Sequence, residues 1–163
     1  MKKKVLFIDN SPWWGGAEAC LNTYTKDGSL KDFDVEICFL FPLEHQSQYE
    51  ASKKTYRYSQ CLYFMPEFYN RPIKGLDRLN KYLRAKKLKE ILQKSKPDIV
   101  YLNLYRNRDI WDIKIIKEYG CKVVFHIRNL YHQAKYNIDI LNQADLIIGT
   151  SKYVCDEIER HWI

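Results

Sequence analysis

The feature that most limits how this chain can fold is a series of six short apolar runs separated by segments of helical character. The runs fall at residues 5–8, 35–41, 61–65, 99–104, 122–127 and 146–148. Several are apolar at consecutive positions; the run at 35–41 has only Glu36 as a polar interruption. A strand with one wet face alternates apolar and polar residues, whereas a strand buried on both faces does not. The intervening segments instead repeat apolar residues every three or four positions. Leu76, Leu79, Leu83, Leu88, Ile91 and Leu92 form one such stripe, and Val154, Ile158 and Trp162 form another. Strands of this kind alternating with helices predict an α/β chain, a Rossmann-like three-layer domain with a mostly parallel sheet of six or seven strands.

Local signals bound the helices. A helix over 16–26 follows a Gly pair and stops at Asp27-Gly28. One over 73–95 ends at Lys96-Pro97, where proline cannot continue the hydrogen-bond ladder. One over 107–119 ends at Gly120, and Ser151 is a suitable N-cap for a helix over 152–163. Residues 42–60 and 66–72 carry the weakest pattern, with a short helix expected around 46–53.

The 163 residues amount to one domain. No stretch of about 18 apolar residues is available to cross a bilayer. The opening MKKKVLFID is basic and then apolar, but Asp9 stops the run well short of a secretory core, so it reads as a buried first strand. Cys20, Cys38, Cys61, Cys121 and Cys155 are odd in number, widely spaced and without a CxxC pair. That pattern argues against a zinc site, predicts no metal, and points to a reducing, cytoplasmic setting. The chain ends at Ile163 inside an amphipathic helix, which leads us to expect further protein beyond it.

The net charge of +7 is concentrated. Residues 74–96 hold nine Lys/Arg against Asp77 and Glu90, an excess equal to that of the whole chain. Within it, Arg78, Lys81, Arg84, Lys86, Lys87 and Lys89 are candidates to face an anionic membrane surface, where each cation contributes about 1 kcal/mol. A solvated outer face on a core-packed helix accounts for the same residues. Nucleic acid ranks last, because no helix-turn-helix or RRM-type module is readable.

The strand at 5–8 leads through Asp9-Asn10-Ser11-Pro12-Trp13-Trp14 into Gly15-Gly16-Ala17-Glu18 and a helix. Strand, glycine loop and helix start form a phosphate-binding geometry, since the helix mouth offers free N–H groups and a positive dipole end. The loop is neither GxGxxG nor a Walker motif, so dinucleotide and P-loop readings lose ground. Glu18 lies in the first turn, where it complements the dipole and can cap. Trp13 and Trp14 can stack on a sugar or an isoprenoid, or pack on the sheet edge.

Four segments together resemble glycosyltransferase family 4. They are GGAE at 15–18, KPDIVY at 96–101, VVFHIRN at 123–129 and ADLIIGTS at 144–151. They follow the family's order and span essentially the whole chain. One departs from it: Arg128 and Asn129 stand where many members have His-Asp. His126 lies two residues earlier, on the same strand face as Arg128, and reads as a satisfied core histidine. Arg128 is the better candidate for gripping a phosphate or sugar hydroxyl.

The resemblance implies that residues 1–163 form the acceptor-side, N-terminal half of a GT-B enzyme whose C-terminal half is absent. The complete enzyme would move a sugar, with retention and without a required metal or permanently bound cofactor, from a UDP- or GDP-sugar to a glycan or lipid-linked acceptor. Polysaccharide or glycoconjugate synthesis at the inner face of the membrane would be its setting. Gly15, Gly16, Glu18, Arg128, Asn129 and Ser151 are the expected donor-phosphate or acceptor contacts, and the isolated chain would show no turnover. A sugar-nucleotide epimerase half and a non-catalytic Rossmann-like binding module remain the alternatives. For the latter, only one acid, Asp9, lies where a phospho-acceptor cluster would be needed.

Overall fold

A computed structural model of the chain describes residues 2–9, 15–26, 28, 30–39, 54–57, 76–103, 111–128 and 138–162. In chain order the elements are β1 (Lys3–Asp9), α1 (Gly16–Lys26), β2 (Phe33–Phe39), β3 (Lys54–Arg57), α2 (Leu76–Ser95), β4 (Ile99–Asn103), α3 (Trp111–Glu118), β5 (Lys122–Ile127), α4 (Ile138–Leu141), β6 (Leu146–Gly149) and α5 (Lys152–Trp162). The strands are ordered β3-β2-β1-β4-β5-β6, and every pairing is parallel. Five strands, β2 to β6 through β1, form the body of the sheet, and the four-residue β3 borders it beyond β2. This is the expected α/β, Rossmann-like class. The chain winds outward from β1 to β3 and then returns to the other side of β1 with β4, so the order reverses between β1 and β4.

Alternation along the strands sorts the core into two layers. Leu6, Ile8, Cys38, Val100, Leu102, Val123 and Phe125 meet Leu88, Ile91 and Leu92 of α2 and Ile113 and Ile116 of α3, with Val154 and Ile158 of α5 joining the same cluster. On the opposite face, Val5, Phe7, Ile37 and Phe39 meet Leu21 of α1. The apolar runs are continuous because both sets of alternating positions are covered. The one polar interruption in β2, Glu36, is buried, and Lys4 Nζ reaches its Oε1 at 3.3 Å and the Ser95 carbonyl at 2.9 Å.

The starting edge of the sheet is stapled by two acids. Asp98 accepts a 2.8 Å bond from the Lys4 N–H, donates its own N–H to the Lys4 carbonyl, and offers its carbonyl to the Lys122 N–H. Asp145 repeats this at the start of β6, two strands further on, through the Val123 N–H and carbonyl and the ammonium groups of Lys117 and Lys122. Desolvation works against the charged Asp145, but these bonds outweigh it and hold its carboxyl well below the usual carboxylate range.

Two expectations need correction. Nothing in the apolar pattern marks β3; an edge strand has a single neighbour and needs no continuous apolar run. The strand expected at 61–65 and the helix at 46–53 lie outside the described residues. In α2, the inward positions are Arg84, Leu88, Ile91, Leu92 and Ser95, while Leu79 is 46% exposed. Arg84 can face inward because Asp112 of α3 meets it at 2.7 Å, with the two side chains 12% and 6% exposed. It therefore joins two helices and does not face a membrane, contrary to the sequence expectation.

Removing one partner of a buried pair strands a charge, at a cost of about 3–5 kcal/mol, whereas replacing both with apolar side chains can be neutral. Asp112→Ala is therefore expected to lower the unfolding free energy in urea by about 3 kcal/mol. The double variant Arg84→Met/Asp112→Leu is expected to recover most of that loss. Equal losses in both variants would show that the pair does not act as a unit.

Candidate functional site

Because all the strands run one way, each ends on the same edge, and the helices that follow begin there. β1 ends at Asp9 ahead of the loop into α1, β4 at Asn103, β5 at Ile127 followed by Arg128, and β6 at Gly149 followed by Ser151 and α5. The parallel winding thus brings Gly15, Gly16, Arg128 and Ser151 to one edge, spread across the β1–β4 switch, where ligands of open α/β sheets bind.

At the mouth of α1 both glycines are exposed. A Cβ added at Gly16 would meet nothing within 4 Å. The Gly15 N–H donates to Glu18 Oε2 at 2.7 Å, and the Gly15 carbonyl accepts from the Ala19 N–H at 3.0 Å. Glu18, only 1% exposed, therefore reaches back from the third helical position to the N-cap, which is half of a capping box. Since that bond engages the Gly15 amide, the N–H groups of Gly16 and Ala17 are among those that helical geometry still leaves without an intrahelical partner in the first turn.

The α1 side of β4 and β5 carries a polar ladder. The lower rung is a 2.5 Å hydrogen bond shared by the Tyr101 hydroxyl and His126 Nδ1. Burial lowers the His126 pKa to about 4, helped by the positive charge of Arg128, so the ring is neutral at pH 7. Burial raises the Tyr101 pKa to about 12, against the opposing pull of Arg128. The upper rung joins Arg128 to Asn103: Nε and Nη2 donate to the same Oδ1, at 3.0 and 2.7 Å. Asn103 is fully buried, and its Nδ2 makes a long 3.5 Å contact to the Ala17 carbonyl in the first turn of α1. A single side chain thus spans from the mouth of α1 to the Arg128 guanidinium.

At the far end of this edge, Ser151 Oγ accepts from the Val154 N–H at 3.3 Å, capping α5 as expected. Thr150 donates both its N–H and its hydroxyl to the Ile127 carbonyl. Gly149 lets the first turn of α5 lie close against the end of β6: a Cβ there would fall 2.7 Å from Cys155 Sγ and 3.1 Å from the Cys155 amide nitrogen. Trp13, Trp14 and Asn129 lie outside the described residues. Of the basic candidates, Arg78, Lys81, Lys86 and Lys89 are exposed, Lys87 is half-buried beside Glu90 at 3.2 Å, and Arg84 is turned inward to Asp112.

Sequence reasoning missed Asn103, Tyr101 and the fully buried Asp9. The available signal was a polar residue closing an otherwise apolar run, at Asp9 in β1 and at Asn103 in β4. Burial of such a group requires partners.

No protein-family model and no curated protein sequence matches the chain. Solved structures do match it. Anabaena HepE in complex with UDP superposes with a TM-score of 0.62 at 16% identity, over 98% of this chain and 40% of that one. A UDP-N-acetylglucosamine 2-epimerase gives 0.58 at 14% identity, over 98% and 45%. An α-glucosyltransferase in complex with UDP and DNA gives 0.53 at 12% identity, over 93% and 38%. What the chain shares with these GT-B proteins is a Rossmann-like, parallel α/β domain fold. This chain spans less than half the length of those GT-B proteins. Among the described residues, no helix is long and apolar enough to cross a membrane.

The neutral, buried His126 gives stability a pH dependence. The unfolded chain takes up the imidazole proton near pH 6.5, the folded chain only near pH 4. Between those values the unfolded state binds more protons, so its contribution is complete above pH 6.5 and is lost as the pH falls toward 4. The expected loss between about pH 7 and pH 5 is roughly 2 kcal/mol. Urea unfolding of wild type and His126→Gln checks it, the variant lacking this part of the slope; equal slopes would show that His126 titrates normally in the folded chain.

Proposed function

We propose that the chain is the acceptor-side, N-terminal domain of a retaining glycosyltransferase resembling family 4. The complete enzyme moves a sugar from a UDP- or GDP-sugar to a glycan or lipid-linked acceptor in glycoconjugate synthesis, in the cytoplasm. The observation that carries this is the meeting, through Asn103, of the open α1 mouth with the Arg128 guanidinium at the β1–β4 switch. No carboxylate pairs with Arg128 among the described residues, so a full positive charge and two first-turn amides sit together where a departing diphosphate needs stabilisation. Donors fixed before the reaction act on developing negative charge at little reorganisation cost. Ser151 lies on the same edge, at the start of the helix that follows β6.

An epimerase half has the same fold support. The two readings differ in their chemistry: an epimerase alters its nucleotide-sugar with no acceptor present, whereas a transferase consumes the donor only when an acceptor is added.

The exposed side of α2 supports docking to an anionic membrane surface. Arg78, Lys86 and Lys89 lie there around Tyr82, 66% exposed, together with Leu79. Cations that flank an apolar body suit the boundary between headgroups and water. Flotation should show binding to phosphatidylglycerol vesicles that salt weakens and that Arg78→Glu/Lys86→Glu/Lys89→Glu abolishes. A triple variant that floats like wild type would remove this face from consideration.

For the nucleotide site, titration of the labelled chain with UDP is expected to shift the Gly16, Ala17 and Arg128 Nε–H resonances. Arg128→Gln is expected to weaken binding about tenfold, the lower range for a charge-assisted contact. Absence of shifts in wild type, or unchanged affinity in Arg128→Gln, would overturn the site.

A further inference from the structure

We infer that Asn103 is a positioning residue that fixes the Arg128 guanidinium beside the mouth of α1 while leaving its charge available to a diphosphate; this rests on the nucleotide-binding reading above. Two independent features point to it. The first is geometric. Nε and Nη2 converge on one amide oxygen, so the guanidinium plane is held from a single edge. The group has five N–H donors, and the bonds to Asn103 use two of them. With Asn103 fully buried, its amide orientation is dictated by its neighbours: the oxygen must face the two donors, and the nitrogen the Ala17 carbonyl.

The second feature is the charge balance. The other inward-turned cations described here meet carboxylates: Arg84 meets Asp112 at 2.7 Å, and Lys4 meets Glu36 at 3.3 Å. Aspartate has nearly the same shape as asparagine and could accept both guanidinium bonds, more strongly because of its charge. It would also neutralise Arg128. A purely structural arginine would be better served by the acid. The amide holds the same geometry without cancelling the charge, which suits an arginine whose counter-ion is a ligand. The rung beneath is consistent, since His126 adjoins Arg128 as a neutral ring and adds no competing charge.

Asn103→Asp separates the two roles. It keeps an acceptor for both Arg128 bonds and balances the charge, while giving up the long contact to the Ala17 carbonyl and adding a carboxylate beside the buried Asp9. The experiment titrates the full chain, wild type, Asn103→Asp and Arg128→Gln, with UDP and separately with inorganic pyrophosphate, following the Gly16 and Ala17 amides and the Arg128 Nε–H by NMR. Thermal unfolding is recorded in parallel. Asn103→Asp is expected to stay folded, as its thermal unfolding transition will show, yet to bind both probes about tenfold more weakly, close to Arg128→Gln. Weakening for both probes assigns the effect to the diphosphate; weakening for UDP alone would overturn the diphosphate assignment. Wild-type affinity in a folded Asn103→Asp would overturn the inference and leave the proposed function standing. If Asn103→Asp does not fold, Asn103→Gln, a longer neutral amide that displaces the guanidinium, is expected to lose affinity; unchanged affinity there would equally overturn the inference. Failure of the wild-type chain to bind either probe removes the proposed function itself, and the positioning role with it.

Discussion

Everything in this molecule depends on the sheet being wound in one direction. β1 lies at the centre, paired in parallel with β2 over seven residues and with β4 over five. A parallel neighbour can be reached only by crossing back over the sheet, so each strand must end on the same edge and each helix that follows must begin there. The two edges then acquire different duties. At the starting edge, Asp98 and Asp145 bond neighbouring backbones and tie β1 to β4 and β5 to β6. At the finishing edge lie the α1 mouth, Asn103, Arg128 and Ser151. The segments KPDIVY and ADLIIGTS thus contribute acids that hold the sheet, and GGAE, VVFHIRN and the Ser151 end of ADLIIGTS deliver groups to the open edge.

The same physics explains how differently the chain treats its inward-facing cations. An ion removed from water must recover its solvation from neighbours. Lys4 recovers it from Glu36 and the Ser95 carbonyl, and Arg84 from Asp112; both are neutralised and both join elements. Arg128 is only half-buried and is held by an amide, so its orientation is fixed but its charge is not balanced. Like residues are thus treated unequally: two cations are neutralised by the fold, and the third is oriented by a neutral amide.

Much of this was legible beforehand, and the reason is periodicity. The runs that became β1, β2, β4, β5 and β6 are mostly apolar at consecutive positions, and α1 and α5 carry clear capping residues in Glu18 and Ser151. The face shared by His126 and Arg128 followed from the two-residue repeat of a strand. Illegible parts depended on partners far away in sequence. β3 exists through its backbone pairing with β2. Arg84 looks like any other cation of a basic helix until Asp112, 28 residues later, arrives beside it. Asn103 is an unremarkable polar residue until β5 brings Arg128 against it from 25 residues away.

Sequence by itself therefore determined the class of fold, the succession of strands and helices, and the concentration of positive charge on α2, because each is a local consequence of which side chains follow one another. Only the tertiary structure decided which amides and cations are usable. Glu18 closes on the Gly15 N–H, Asp112 takes Arg84 out of the surface, and Asn103 aims Arg128. Those assignments depend on distances between strands and helices that no local pattern encodes, since the hydrogen bonds that create them form only once the parallel sheet has brought remote residues into register.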